Sequence, residues 1–239
     1  MKKAAKLLLC LNLLVFTVFA FKVLSVKIIE MREGKNLVST QSEGVKAGTQ
    51  TEDTQKKMVA LTFDDGPDPE YTESLLDGLK KRDVKATFFL LGKQAELYPD
   101  IVKRMHDEGH LIGNHSYDHV NLATLSATDA ENQITKTNDL IYEITGEYPQ
   151  YLRPPFGNEP QSSGCAADMI TVLWDVDPLD WCCSSSGNVV QKVLKSVKEN
   201  DIILLHDASK SSVEAALMIV DELTEKGYEF VTVDELLFE

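Results

Sequence analysis

Two aspartates stand side by side at positions 64 and 65. They end the apolar run Val59-Ala60-Leu61-Thr62-Phe63 and precede Gly66-Pro67. A run of strand length that delivers paired carboxylates into a Gly-Pro turn puts charge at the mouth of a sheet or barrel. Taken alone, Asp-Asp-Gly-Pro is an ordinary polar turn. A second cluster, His115-Ser116-Tyr117-Asp118-His119, holds two of the chain's five histidines. Histidines four apart share one face of a helical turn, so both imidazoles can reach one ion. With one carboxylate from Asp64 or Asp65 they make a set of two histidines and one acid. Such a set leaves coordination positions open for water and substrate, as catalytic zinc or iron sites do.

Three further clusters follow. Arg153-Pro154-Pro155-Phe156-Gly157 reads as a rigid turn, or as an arginine held at a strand end to pair with a carboxylate. The stretch from Trp174 to Trp181 contains Asp175, Asp177 and Asp180. It allows Trp174 in the core with Asp180 as a cap, or Trp181 on the wall of a groove where its face packs on a sugar or acyl group. Ile202-Ile203-Leu204-Leu205 ends in His206-Asp207, and one histidine at a strand end is more often structural than catalytic.

The elements that must position these residues alternate along the chain. Strands are predicted at 59–63, 86–91, 111–114, 151–153, 170–174, 202–205 and 230–233, with helices at 71–81, 100–108, 129–144, 189–199 and 213–226. Pro99 stands where a helix tolerates proline, and Gly109, Gly146 and Gly227 stand where left-handed caps are expected. The alternation predicts an α/β fold with a mainly parallel sheet, either open or closed into a barrel. In both, functional residues collect at the C-terminal ends of the strands, where all five clusters fall. No glycine-rich dinucleotide fingerprint or phosphate-loop lysine motif is present, so no nucleotide cofactor is expected.

The ordered set TFDDGP, HSYDH, RPPFG, DPLDW and LLHD resembles the five motifs of the polysaccharide deacetylase family, the NodB-homology domain of carbohydrate esterase family 4. The resemblance runs from residue 57 onward and implies a single distorted (β/α)7 barrel. It implies a hydrolase removing acetyl groups from N-acetylated amino sugars of a cell-envelope glycan, peptidoglycan or chitin-like, with a divalent metal, zinc first and cobalt or another transition metal as alternatives. Residue by residue, it implies Asp65, His115 and His119 as metal ligands and Asp64 as general base toward a metal-bound water. It implies His206 as the acid that protonates the leaving amine, Arg153 as brace of the base and Asp180 as partner of His206. It implies the Phe156 N–H as an oxyanion donor, and Trp181 and Leu204 as lining of the acetyl pocket. The alternatives are an O-acetyl esterase on a xylan-like glycan and a non-catalytic glycan-binding barrel. A small-molecule amidohydrolase lacks its expected histidine pair at the first strand end.

The chain has 239 residues, 43% of them hydrophobic, and a net charge of −14, which sets it apart from nucleic-acid binders. Residues 1–56 carry nine basic against five acidic side chains; the remainder carries fifteen against thirty-three. Lys2, Lys3 and Lys6 precede an uncharged apolar run over 7–21. This reads as an uncleaved signal-anchor with its basic end inside, or as a signal peptide whose cleavage site around Ala20 is a poor match. The expected organisation is a targeting segment at 1–29, a polar linker at 30–56 and a catalytic domain at 57–239, held outside the cell membrane or secreted. Cys165, Cys182 and Cys183 give an odd count for an exported domain, so Cys165 pairs with one of its neighbours or all three stay thiols.

Overall fold

Seven parallel strands alternate with helices in the computed structural model, which describes residues 57–160 and 168–238. In chain order they are β1 (Lys57–Asp64), α1 (Thr72–Lys81), β2 (Thr87–Leu90), α2 (Gly92–Leu97), α3 (Pro99–Asp107), β3 (Leu111–Asn114), α4 (Ala127–Thr145), β4 (Tyr151–Leu152), β5 (Ile170–Thr171), α5 (Ser186–Ser196), β6 (Ile202–His206), α6 (Lys210–Glu225), β7 (Tyr228–Val231) and α7 (Val233–Phe238). Single 3-10 turns lie at Leu122–Thr124, Pro155–Gly157 and Asp180–Cys182. The described residues belong to one compact unit that runs from Thr54 to Glu239.

The strand order is β5-β4-β3-β2-β1-β6, with β7 on the first half of β1. β1 is buried over its last six residues, as a central parallel strand covered on both faces must be. Its register with β6 sets Asp64 opposite His206, and its register with β2 sets Asp64 opposite Phe89. No ladder joins β5 to β6; a single bridge, Val176 to Ile203, spans that side. The sheet is therefore a curled, incompletely closed (β/α)7 barrel, as the resemblance implies. Leu61, Phe63 and Phe88 pack against Leu75, Leu79, Met105, Ile219 and Leu223 of the surrounding helices. The Phe63 and Phe88 rings stack at 5.2 Å. Burial of such apolar side chains contributes about 1.5–3 kcal/mol each.

The elements match the sequence expectations with local corrections. The last strand ends at Val231, because Thr232 begins a capping box: Glu235 Oε2 accepts the Thr232 N–H at 2.9 Å and Val233 starts α7. The helix expected over 189–199 starts earlier, where Ser185 Oγ accepts the Asn188 N–H, and stops at Ser196 as Val197 turns extended. Helix α2 was not anticipated; its six residues are too few to display a helical period. The expected strand at 170–174 is cut to two residues, since Arg153 takes the Val172 and Leu173 carbonyls. The targeting segment, the linker and Cys165 lie outside the described residues. Among the described residues no helix is long and apolar enough to cross a membrane.

Candidate active site

The paired aspartates part company at the end of β1. Asp64 is the last strand residue and is 3% exposed. Asp65 takes φ 73, which swings its side chain out of the strand alternation. Asp64 Oδ1 accepts a hydrogen bond from Arg153 Nη1 at 2.8 Å, and the same nitrogen donates to Thr62 Oγ1 at 2.8 Å. Arg153 is fully buried, with Nε donating to the Val172 carbonyl and Nη2 to the Leu173 carbonyl. Its guanidinium lies 4.1 Å from the Phe89 ring centroid. Burial pulls the Arg153 pKa down while Asp64 pushes it back up. The pair leaves Asp64 Oδ2, 3.7 Å from His115 Nε2, as the oxygen that faces the cavity.

His115 and His119 do converge, though not on a helical turn as the spacing suggested. The segment is an irregular loop with φ 68 at Ser116 and φ 58 at His119; the His115 N–H donates to the Leu90 carbonyl, and the next four go to side chains instead of a helix ladder. Asn114 Oδ1 accepts the Ser116 N–H at 2.7 Å, Gln133 Oε1 accepts those of Tyr117 and Asp118, and Ser116 Oγ accepts that of His119. Asn114 is fixed in turn by α4, donating to the Ile134 carbonyl and to Asn138 Oδ1. The two imidazole centroids end 5.1 Å apart.

Asp65 Oδ1 lies 3.5 Å from His115 Nε2 and 3.5 Å from His119 Nε2. It is buried without a hydrogen-bond partner among the described residues. His115 Nδ1 lies 2.6 Å from the Arg153 carbonyl, so it must carry the proton and leave the Nε2 lone pair toward Asp65. Burial holds the His115 pKa down, against the pull of Asp64 and Asp65. An orphaned carboxylate oxygen facing two imidazole nitrogens, one of them fixed as an acceptor, fits a divalent cation with mixed nitrogen and oxygen preference. Asp65, His115 and His119 are the residues that would hold it.

The other wall comes from β6 and the turn at Asp180–Cys182. Asp180 is buried; its Oδ1 lies 2.9 Å from His206 Nδ1, and its Oδ2 accepts the His206 backbone N–H. Burial pulls the His206 pKa down, but the hydrogen bond and charge of Asp180, with the charges of Asp64 and Asp65 behind it, raise it to about 9. His206 Nε2 lies 3.9 Å from Asp65 Oδ2. Between the walls is a cavity of about 490 Å³, lined by the acids and histidines together with Phe156, Trp174, Asp177, Leu179, Trp181 and Leu204. Trp181 is 66% exposed at the rim and Leu204 is buried. Phe156, at φ 61, meets His119 ring to ring at 4.8 Å, and its N–H has no partner among the described residues. Positive φ at Asp65, His119, Phe156 and Leu179 puts backbone strain where the polar groups converge.

Every expected site residue therefore reaches this cavity or braces one that does. Sequence reasoning left Thr62, Asn114, Thr72 and Asp207 without a role, although Thr62 and Asp207 lie inside the quoted motifs and are fully buried polar residues. Cys182 is exposed and donates to the Leu179 carbonyl; the disulfide question turns on Cys165, outside the described residues.

Comparison with known proteins bears on the family and the fold. The polysaccharide deacetylase family model matches residues 51–172. Over 210 residues, 88% of this chain and 44% of the relative, the sequence is 40% identical to peptidoglycan-N-acetylmuramic acid deacetylase PdaC of Bacillus subtilis strain 168. It is 42% identical over 188 residues to a peptidoglycan-N-acetylglucosamine deacetylase of Bacillus cereus, covering 76% of this chain and 68% of the relative. The solved structure of B. subtilis PdaC superposes with a TM-score of 0.74 at 42% identity, covering 77% of this chain and 91% of that one. A family 4 acetyl xylan esterase from Clostridium thermocellum, solved with a cobalt ion, gives 0.71 at 36% identity over 76% and 90% of the two chains. The chain thus spans less than half the length of full PdaC but most of its solved deacetylase structure. With half of its length under the family model and three quarters under these relatives, the chain belongs to the polysaccharide deacetylase family.

Proposed function

We propose that this protein is a metal-dependent hydrolase that removes N-acetyl groups from amino sugars of a cell-envelope glycan, peptidoglycan before chitin-like polymers. One observation carries the reading: Asp64, braced by Arg153, and His206, gripped by Asp180, are register partners on neighbouring strands, and each approaches the Asp65, His115 and His119 cluster, at 3.7 Å and 3.9 Å. When bound, a divalent ion, zinc first, supplies Lewis-acid polarisation of the acetyl carbonyl and a nucleophilic water at neutral pH. Asp64 Oδ2 takes the proton of the attacking water as its oxygen adds to the carbonyl carbon. The Phe156 N–H, without a backbone acceptor among the described residues, is available to the developing oxyanion. His206 gives its Nε2 proton to the sugar nitrogen as the C–N bond breaks, releasing acetate and the free amine. Trp181 and Leu204 enclose the acetyl methyl. The basic and then apolar start of the chain supports a location outside the cell membrane, tethered or secreted, where the glycan lies.

Similarity to an acetyl xylan esterase supports a second reading, ester cleavage on an O-acetylated glycan. Acetate release from N-acetylglucosamine oligomers, peptidoglycan and acetylxylan, with chelator and with added zinc, separates the two. Zinc-restored release from an amino-sugar polymer is expected. Release from acetylxylan alone would reassign the bond cleaved.

A further inference from the structure

We propose that Asp207 is a positioning residue for this reaction: through Thr72 and Gly66 it locks the strand end that carries His206 to the loop that carries Asp64 and Asp65. The inference rests on the roles assigned above to those three residues.

Asp207 directly follows His206 at the end of β6 and is fully buried. Its Oδ2 accepts the hydroxyl of Thr72, the first residue of α1, in a short hydrogen bond. Thr72 is also fully buried, and the same hydroxyl accepts the Asp68 N–H at 2.7 Å. Asp68 in turn closes the loop onto the helix: its carbonyl accepts the Thr72 N–H, and its Oδ1 accepts the N–H groups of Glu70 and Tyr71. One continuous chain of hydrogen bonds thus runs from the residue after the acid to the loop after the base.

The carboxyl also packs flat on Gly66, the residue after Asp65. A Cβ at Gly66 would lie 2.6 Å from Asp207 Oδ2 and 2.7 Å from Oδ1. Position 66 is therefore glycine because of this carboxyl rather than because of its own φ, which is not positive. The Gly66 carbonyl accepts the Leu91 N–H beyond β2, so the loop is held on its other side as well. Asp207 Oδ1 has no hydrogen-bond partner among the described residues. A buried carboxyl with one oxygen unsatisfied is a poor choice for stability, since an apolar residue of similar size avoids the desolvation cost. What it provides is a fixed offset between the end of β6 and the Asp64-Asp65 turn, on which the placing of base, ligand and acid depends.

The experiment uses the full chain and four variants, Asp207→Ala, Thr72→Val, Thr72→Ser and Asp207→Ala with Thr72→Val, read by zinc affinity in chelator competition and by kcat and KM separately. Thr72→Val keeps the side-chain shape and removes the link. Zinc affinity and kcat are each expected to fall about tenfold or more in Asp207→Ala and in Thr72→Val, with KM within about threefold. Thr72→Ser should restore both, and the double variant should lose no more than the worse single, because the two residues act as one unit. Unchanged zinc affinity and kcat in Thr72→Val, a Thr72→Ser variant as impaired as Thr72→Val, or additive losses in the double variant would each overturn the proposal. If Asp207→Ala does not fold, Thr72→Val and Thr72→Ser decide. If the wild type binds zinc but releases no acetate, the functional reading fails separately, and the zinc-affinity comparison still judges Asp207.

Discussion

Asp180 grips His206 twice, accepting the backbone N–H at Oδ2 and facing ring Nδ1 from Oδ1, both at 2.9 Å. The first bond fixes where the residue sits; the second fixes which nitrogen faces the cavity and favours the charged ring. Its folded pKa, raised to about 9, lies above the ordinary 6.5. The protonated acid is therefore present through neutral pH and is lost as pH rises through about 9. Asp180→Asn removes the charge and one of the two acceptor oxygens. We expect kcat to fall about 10²-fold and the alkaline limb of the kcat profile to move toward neutrality. A pH-rate series of wild type and variant checks both; an unmoved alkaline limb would separate Asp180 from His206.

Asp64→Asn and His119→Ala should fail in different ways. The first is expected to retain zinc within about threefold in affinity, yet lose about 10³-fold or more in kcat, because Asp64 Oδ1 is committed to Arg153 and Oδ2 is the proposed base. The second removes one of three ligands and should lose stoichiometric metal. Metal content after dialysis, beside acetate release, distinguishes them. A fully active Asp64→Asn protein would refute the assignment of the base.

Arg153→Met tests the brace. The pair with Asp64 is buried on both sides, so removing the cation strands a carboxylate and the Val172 and Leu173 carbonyls together, while the Thr62 hydroxyl keeps its bond to the Ile203 carbonyl. Loss of one partner of a buried pair costs about 3–5 kcal/mol. Urea unfolding should show that order of destabilisation, and Arg153→Met with Asp64→Leu should recover part of it.

His110 sets an acid limit on stability away from the active site. It is 6% exposed, and its Nδ1 accepts the Ala86 N–H at 3.1 Å. Burial, aided by the charge of Lys85, lowers its pKa from 6.5 to about 4. The unfolded chain therefore takes up this proton before the folded one. The stability it contributes is complete above pH 6.5 and is lost as pH falls toward 4, by about 3 kcal/mol. Urea titrations across that range should show the slope in wild type and a flatter one in His110→Gln.

That Asp64, Asp65, His115 and His206 come together was legible in the sequence because each stands at or directly after the end of a strand. The conformation of the His115 to His119 segment was not. Four-residue spacing suggested a helical turn, whereas Asn114 and Gln133, from different elements, hold a loop with two positive φ values. Spacing encodes which residues are near one another in the chain, not which distant side chains take up their N–H groups. The same limit hid Thr72 and Asp207, whose pairing spans most of the domain. Strand β7 was displaced because hydrophobicity continues through Val233 while the Thr232-Glu235 box starts a helix there.

The register of Asp64 against His206 also bears on how the site comes into being. Residues 64 and 65 stand at the end of β1 and residues 115 and 119 follow β3, two strands with only β2 between them in the sheet and in the chain. The acid arrives on β6, after a far longer excursion, and contacts of long sequence separation are the slow ones to form. In refolding, the proposed metal cluster can assemble from β1 to β3 before β6 docks, whereas the proposed hydrolysis must wait for that later pairing. Recovery of metal binding would then report an early stage of folding, and recovery of activity its completion.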